Sequence, residues 1–170
     1  MGKVERRVLA DGRIHEIACA VRADGVTSPV ATFLDELADG LVDPSSAPDL
    51  EHDEQITHRA WLEAAFERFA DEGDLPGPRG WNRLRDGVWE IKRFNLRITF
   101  FDTDGVGGYD PKLGFEGDGY WAPPELPDFD EFIRLATAFV KPPAQRKTPD
   151  REIYRAKQVR EEDVSHDRPD

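Results

Sequence analysis

Cysteine is almost missing from this chain. Cys19 stands alone among 170 residues, so no internal disulfide can form. A lone thiol fits a reducing compartment, and apolar neighbours favour a packing role for it, because burial disfavours the reactive thiolate. Long apolar runs are missing too. None approaches the roughly 20 residues that span a bilayer, and Met-Gly-Lys-Val-Glu-Arg-Arg at the N-terminus is not followed by the apolar stretch of a secretory signal. No membrane association is expected, and the expected location is cytoplasmic. Metal-ligand spacing is absent as well. His15, His52, His58 and His166 are scattered, and none pairs with cysteine at a zinc spacing. Asp102-Thr103-Asp104-Gly105 begins like a calcium loop, but its later acidic ligands are misplaced. Gly105–Gly108 lacks the Gly-Lys-Ser/Thr close of a phosphate loop. No metal and no cofactor are expected. Bases are scarce: 23 Lys and Arg face 35 Asp and Glu, a net charge of −12. Such a chain repels nucleic acid at long range.

The distribution of charge changes that picture. From Asp35 to Asp74 there are thirteen acids and two bases, and from Asp102 to Glu131 nine acids and one base. Arg79 to Phe100 instead holds six bases and two acids, and Lys141 to Arg160 seven bases and two acids. Hydrophobic residues, at 38%, are enough for one globular domain of this length.

Local patterns supply the elements. Residues 13–22 read as a strand, with Asp24-Gly25 as the turn after it. Ser28-Pro29 is an N-cap and first-position pair, followed by an apolar stripe of Val30, Phe33, Leu34 and Leu37 and ended by Gly40. Residues 41–55, rich in Pro, Ser and acids, read as a loop. A second helix is expected from about Thr57, its apolar face carrying Trp61, Leu62, Ala65, Phe66 and Phe69, and it ends at Gly73. Residues 87–93 and 96–102 read as a hairpin turning at Phe94-Asn95, and 132–140 as a further strand. The intervening 103–131 is an acidic, Gly- and Pro-rich insertion, longer than most loops of a compact domain. Thr148-Pro149 reads as the start of a last helix reaching about Glu161. The expected fold class is α+β: a small domain over 13–161 with a mainly antiparallel sheet, two helices from the N-terminal half on one face, and a C-terminal helix at the sheet edge. Residues 1–12 and 162–170 are expected to be flexible termini.

Three stretches then carry a resemblance. Arg83-Leu84-Arg85-Asp86-Gly87-Val88-Trp89-Glu90-Ile91-Lys92 resembles the strand of RelE/HigB-type phage-derived toxins in which glycine precedes aromatic-Glu-Leu-Arg. Leu96-Arg97-Ile98-Thr99-Phe100-Phe101 resembles that family's next strand, where Arg precedes an apolar run. Ala138-Phe139-Val140-Lys141, then Lys147-Thr148-Pro149 and Glu152-Ile153, resembles its last strand and its Lys-Thr-Pro…Glu-Ile helix start. The match spans most of 13–160, apart from 41–55 and 103–131. It implies a RelE-like fold and the toxin of a type II toxin–antitoxin system, a metal-independent endoribonuclease cutting mRNA on the ribosome. The implied partners are mRNA, the ribosome and a cognate antitoxin, commonly of helix-turn-helix type. Two alternatives stand beside it: a non-catalytic phage or mobile-element interaction protein on the same fold, and a ParE-like toxin directed at DNA gyrase.

RNA cleavage without a metal needs cations where charge builds on the phosphoryl oxygens. Strand alternation puts Glu90, Lys92, Arg97 and Thr99 on the face opposite Ile91 and Ile98. Arg97 is the expected transition-state clamp, because a guanidinium holds two phosphate oxygens at once. Lys92 and Lys141 are the other expected catalytic groups, as phosphate contacts or proton carriers. Arg146, Lys147 and Arg93 are the expected RNA phosphate contacts. Trp89 and Phe101 are more naturally core than base-stacking residues. The insertion at 103–131 is expected over or beside the basic face, presenting Tyr109, Phe115, Tyr120 and Trp121.

Overall fold

A computed structural model describes residues 4–44, 50–76, 80–112, 126–142 and 144–169. Among the described residues nine elements follow in chain order: β1 (Val8–Asp11), β2 (Glu16–Cys19), α1 (Pro29–Ala38), α2 (His52–Glu72), β3 (Trp81–Arg83), β4 (Trp89–Arg93), β5 (Leu96–Thr103), β6 (Phe132–Val140) and α3 (Asp150–Ser165). The strands form one sheet in the order β1-β2-β6-β5-β4-β3. Only β2 and β6 pair in parallel; the other pairs are antiparallel. The fold is α+β with a mainly antiparallel sheet.

Alternation along the strands sorts side chains into two cores. Ile17, Trp89, Ile91, Ile98, Phe100, Ile133 and Leu135 point to one face and pack against Val30, Leu34 and Leu37 of α1 and Leu62, Phe66 and Phe69 of α2. Phe101 and Ala136 point to the other face and meet Ile153, Ala156, Val159 and Val164. These α3 residues recur at helical spacing, so one stripe of the helix is buried. α3 therefore lies across the central strands β5 and β6, on the face opposite α1 and α2, and not at the sheet edge. Asp35 and Glu36 of α1 and Asp53, Glu54, Glu63, Glu67, Asp71 and Glu72 of α2 thus put acids on the helices of one face.

Four boundaries differ from the sequence reading. The stretch 13–22 holds only the short β2, because the chain reverses at Gly12, whose amide donates to His15 O at 3.0 Å. A Cβ on Gly12 would lie 2.4 Å from the Ala70 carbonyl carbon, so only glycine lets β1 approach α2 this closely. β1 makes residues 8–11 part of the sheet rather than a loose terminus. α2 begins at His52, not Thr57, with Asp53 and Glu54 in the first turn, where the helix dipole favours acids. Gln55 fixes this start by holding both backbone groups of Val42 (2.9 and 2.8 Å) and Leu50 O (2.8 Å). α3 begins one residue after Pro149, which occupies the cap position expected of Thr148.

The last turn of α3 is anchored rather than frayed. Asp163 is fully buried and accepts from Arg6 Nε at 2.8 Å, Arg134 at 3.2 Å and the Val21 amide at 2.9 Å. Asp167 pairs with the same two arginines at 3.0 and 3.3 Å. Among the described residues no helix is long and apolar enough to cross a membrane.

Candidate functional site

The β4–β5 hairpin builds the floor of the site. In its register Glu90 stands opposite Thr99 and Lys92 opposite Arg97, so these four share the α3 face. Asn82 of β3 stands opposite Glu90 and joins them. Beyond β6, Lys141, Arg146, Lys147 and Thr148 come to the same site as Glu90 and Arg97 before α3 begins. The Lys141 amide donates to Asn95 O at 2.7 Å.

Together these parts enclose a cavity of about 440 Å³ lined by six cations, Arg83, Arg85, Arg97, Lys141, Arg146 and Lys147, and by two carboxylates, Glu90 and Asp150. In a chain of net charge −12 this is a concentrated basic site. Arg85 is partly spoken for, since it pairs with Asp150 at 3.0 Å.

Glu90 ties the site together. It is 1% exposed and accepts hydrogen bonds from Asn82 Nδ2 at 2.7 Å and from Thr148 Oγ1 at 2.7 and 3.0 Å. Arg97 Nε lies 3.7 Å from the same carboxylate. One side chain thus joins β3, β5 and the basic segment before α3. The Thr148 hydroxyl turns toward Glu90, and Pro149 rather than Thr148 stands at the cap of α3.

Arg97 is 7% exposed. Its Nη1 donates to the backbone carbonyls of Phe94 and Leu96, the latter at 2.9 Å. Its Nε is buried without a hydrogen-bond partner. Burial pulls its pKa below the ordinary arginine value, and the Glu90 charge only partly opposes this. Arg97 thus brings a buried cation, ion-paired with Glu90, to the cavity wall.

Four of the expected residues meet in this cavity: Arg97, Lys141, Arg146 and Lys147. Lys92 shares the face of Arg97 and is half-buried, but is not one of the residues that line the cavity. Arg93 lies on the other face. It has the strand parity of Ile91, and its guanidinium sits 4.7 Å from the Trp61 ring centroid and 4.5 Å from that of Phe94, with Nε donating to His58 Nδ1 at 3.3 Å. Trp89 and Phe101 are both core residues at 1% exposure. Glu90, Asn82 and Thr148 escape the sequence reading as site residues. The available signal is the strand parity of Glu90, which matches that of Arg97.

The insertion leaves from the far end of β5. Thr103 lies six residues beyond Arg97, about 20 Å along an extended strand. Its first residues turn back on α3 and the β3–β4 connection. Tyr109 Oη accepts from Arg160 at 2.7 Å and donates to Gly87 O at 3.2 Å, and Lys112 pairs with Asp102 at 3.0 Å and Asp130 at 3.2 Å. Asp104 accepts from the amides of Val106 and Gly108, an Asx turn. Phe115, Tyr120 and Trp121 lie outside the described residues. Comparison with protein families, with characterised proteins and with solved structures gave no match.

Proposed function

We propose that this chain is the toxin of a type II toxin–antitoxin pair, a cytoplasmic, metal-independent endoribonuclease of RelE/HigB type that cuts mRNA on the ribosome. The observation that carries this reading is Arg97: a buried guanidinium whose Nε makes no hydrogen bond and faces Glu90 at 3.7 Å, set in a cavity ringed by further cations. The ribose 2′-oxygen attacks the adjacent phosphorus and its proton passes to a solvent base. The bond to the 5′-oxygen breaks, leaving a cyclic phosphate. Arg97 neutralises the charge that grows on the non-bridging oxygens, and preorganised stabilisation of this kind usually supplies most of an enzyme's acceleration. Lys141 protonates the departing 5′-oxygen. Arg146 and Lys147 hold neighbouring phosphates and set the strand's register. Glu90 already accepts from two neutral donors, so it serves as a positioning residue for Arg97 and Thr148. The cognate antitoxin, of helix-turn-helix type, keeps the activity in check.

The test is induced expression of the wild type and of Arg97→Ala, with growth and mRNA integrity followed together. Wild type is expected to arrest growth and fragment mRNA. Arg97→Ala is expected to lower cleavage by about 10²–10³-fold, as loss of an oxyanion donor does elsewhere. A wild type without either effect overturns the reading. One observation favours a second reading, a non-catalytic interaction protein on the same fold: Arg97 Nη1 is already engaged by two backbone carbonyls, as in a purely structural arginine. That reading expects partner binding with intact mRNA.

A further inference from the structure

The tip of the β4–β5 hairpin carries an anomaly that neither core explains. Phe94 has φ 52°, a left-handed conformation that bulky side chains rarely adopt. Two-residue hairpin turns favour Asn, Asp or Gly at this position. The ring is nevertheless 61% exposed, so burial does not compensate the strain. Strain kept at an exposed apolar side chain points to function.

The surroundings say what the ring is for. Arg93 lies between the rings of Trp61 and Phe94, at 4.7 and 4.5 Å from their centroids, and His58 meets the Phe94 ring edge-on at 5.5 Å. The ring is therefore held from one side by a clamped cation and remains open to a planar guest. The backbone carbonyls of the two turn residues hold two residues that line the cavity: Arg97 donates to Phe94 O, and the Lys141 amide donates to Asn95 O at 2.7 Å. Two cavity residues thus reach this turn through its backbone, and the exposed ring of Phe94 stands at the same hairpin tip, toward Arg93 and His58. Flat, sequence-tolerant stacking on an aromatic beside a cationic groove is how single-stranded nucleic acid is held.

We infer that Phe94 is a base-stacking subsite, taking an unpaired nucleobase of the RNA strand whose phosphates occupy the Arg97–Lys141 cavity. This rests on the endoribonuclease reading and adds to it a residue that fixes where along the strand the phosphate is presented.

The inference sets stability against binding. Phe94→Asn puts a turn-favouring residue at φ 52° and is expected to raise Tm by about 2–4 °C for a chain of this size. It is also expected to weaken binding of a short 2′-O-methyl single strand, which cannot be cleaved, by about tenfold. Phe94→Trp is expected to bind at least as well as wild type, with its indole fluorescence quenched on binding. An abasic version of the strand is expected to bind wild type and Phe94→Asn alike. Equal binding of the normal strand by wild type and Phe94→Asn overturns the subsite and leaves the nuclease reading in place. Loss of a protein partner with RNA binding unchanged also overturns it, assigning the ring to a protein contact. No RNA binding by wild type overturns both readings.

Discussion

At the scale of single residues, the site turns on one buried carboxylate and one buried guanidinium. Replacing Glu90 with Ala leaves Arg97 buried without its counter-charge and Thr148 without its acceptor. Breaking such a buried pair costs about 3–5 kcal/mol. A urea titration should show that loss, and cleavage by the fraction still folded should fall with it. Thr148→Ala removes a single hydrogen bond, worth about 1 kcal/mol, so the fold should survive and the loss should appear chiefly in RNA affinity. His15 gives a different kind of test. It is buried edge-on against Phe69 at 5.3 Å, and burial lowers its pKa below 6.5. The unfolded chain therefore takes up a proton at a pH where the folded chain does not. The stability His15 contributes is present above pH 6.5 and is lost as pH falls below it. His15→Phe should flatten that part of a stability-versus-pH curve measured by thermal denaturation.

At the scale of elements, what can be read from sequence follows from periodicity, and what cannot depends on distant partners. Strand parity is enough to put Arg97 beside Glu90 and away from Ile91. The same rule sends Arg93 to the α2 face, although charge alone groups it with the phosphate contacts. Ser28 caps α1 as expected because its oxygen accepts from the Ala31 amide, a bond within one turn. Thr148 stands one residue before the cap of α3, with its hydroxyl directed to Glu90, 58 residues away. β1 and β3 have four and three residues, too few for a period of two to stand out. The anchored end of α3 is illegible for the same reason as Thr148. Arg6, Arg134 and Asp163 meet only after folding, at separations no local pattern reports. That cluster is testable. Asp163→Ala leaves the two buried arginines sharing Asp167 alone and the Val21 amide without its acceptor, and its expected cost of about 3 kcal/mol should appear as a lower denaturation midpoint. Removing residues 1–7 should destabilise α3 as well, through loss of Arg6.

At the scale of the whole molecule, the sheet divides labour. One face packs α1 and α2, which carry the densest acidic block; the other carries α3 and the basic cavity. Affinity for RNA should therefore follow the cavity cations rather than the total charge. Log affinity for a single strand should fall with log salt by about 0.7 for each phosphate neutralised. Lys141→Ala and Lys147→Ala should each flatten that line by about one such increment, measured by fluorescence anisotropy across a salt series.

The gathering of six cations in one cavity also has a kinetic meaning. A body of net charge −12 that met RNA as a simple monopole would associate faster as salt screened the repulsion. A dipole behaves otherwise. Within roughly a Debye length, about 8–10 Å in physiological salt, the field of a polyanion exerts a torque that turns the cavity toward the strand. Added salt weakens the torque, and more collisions then arrive with the acidic helices in front. For the proposed RNA ligand, the sign of the change in association rate with ionic strength, read by stopped flow, thus distinguishes the encounter of a repelled ion from that of an oriented one.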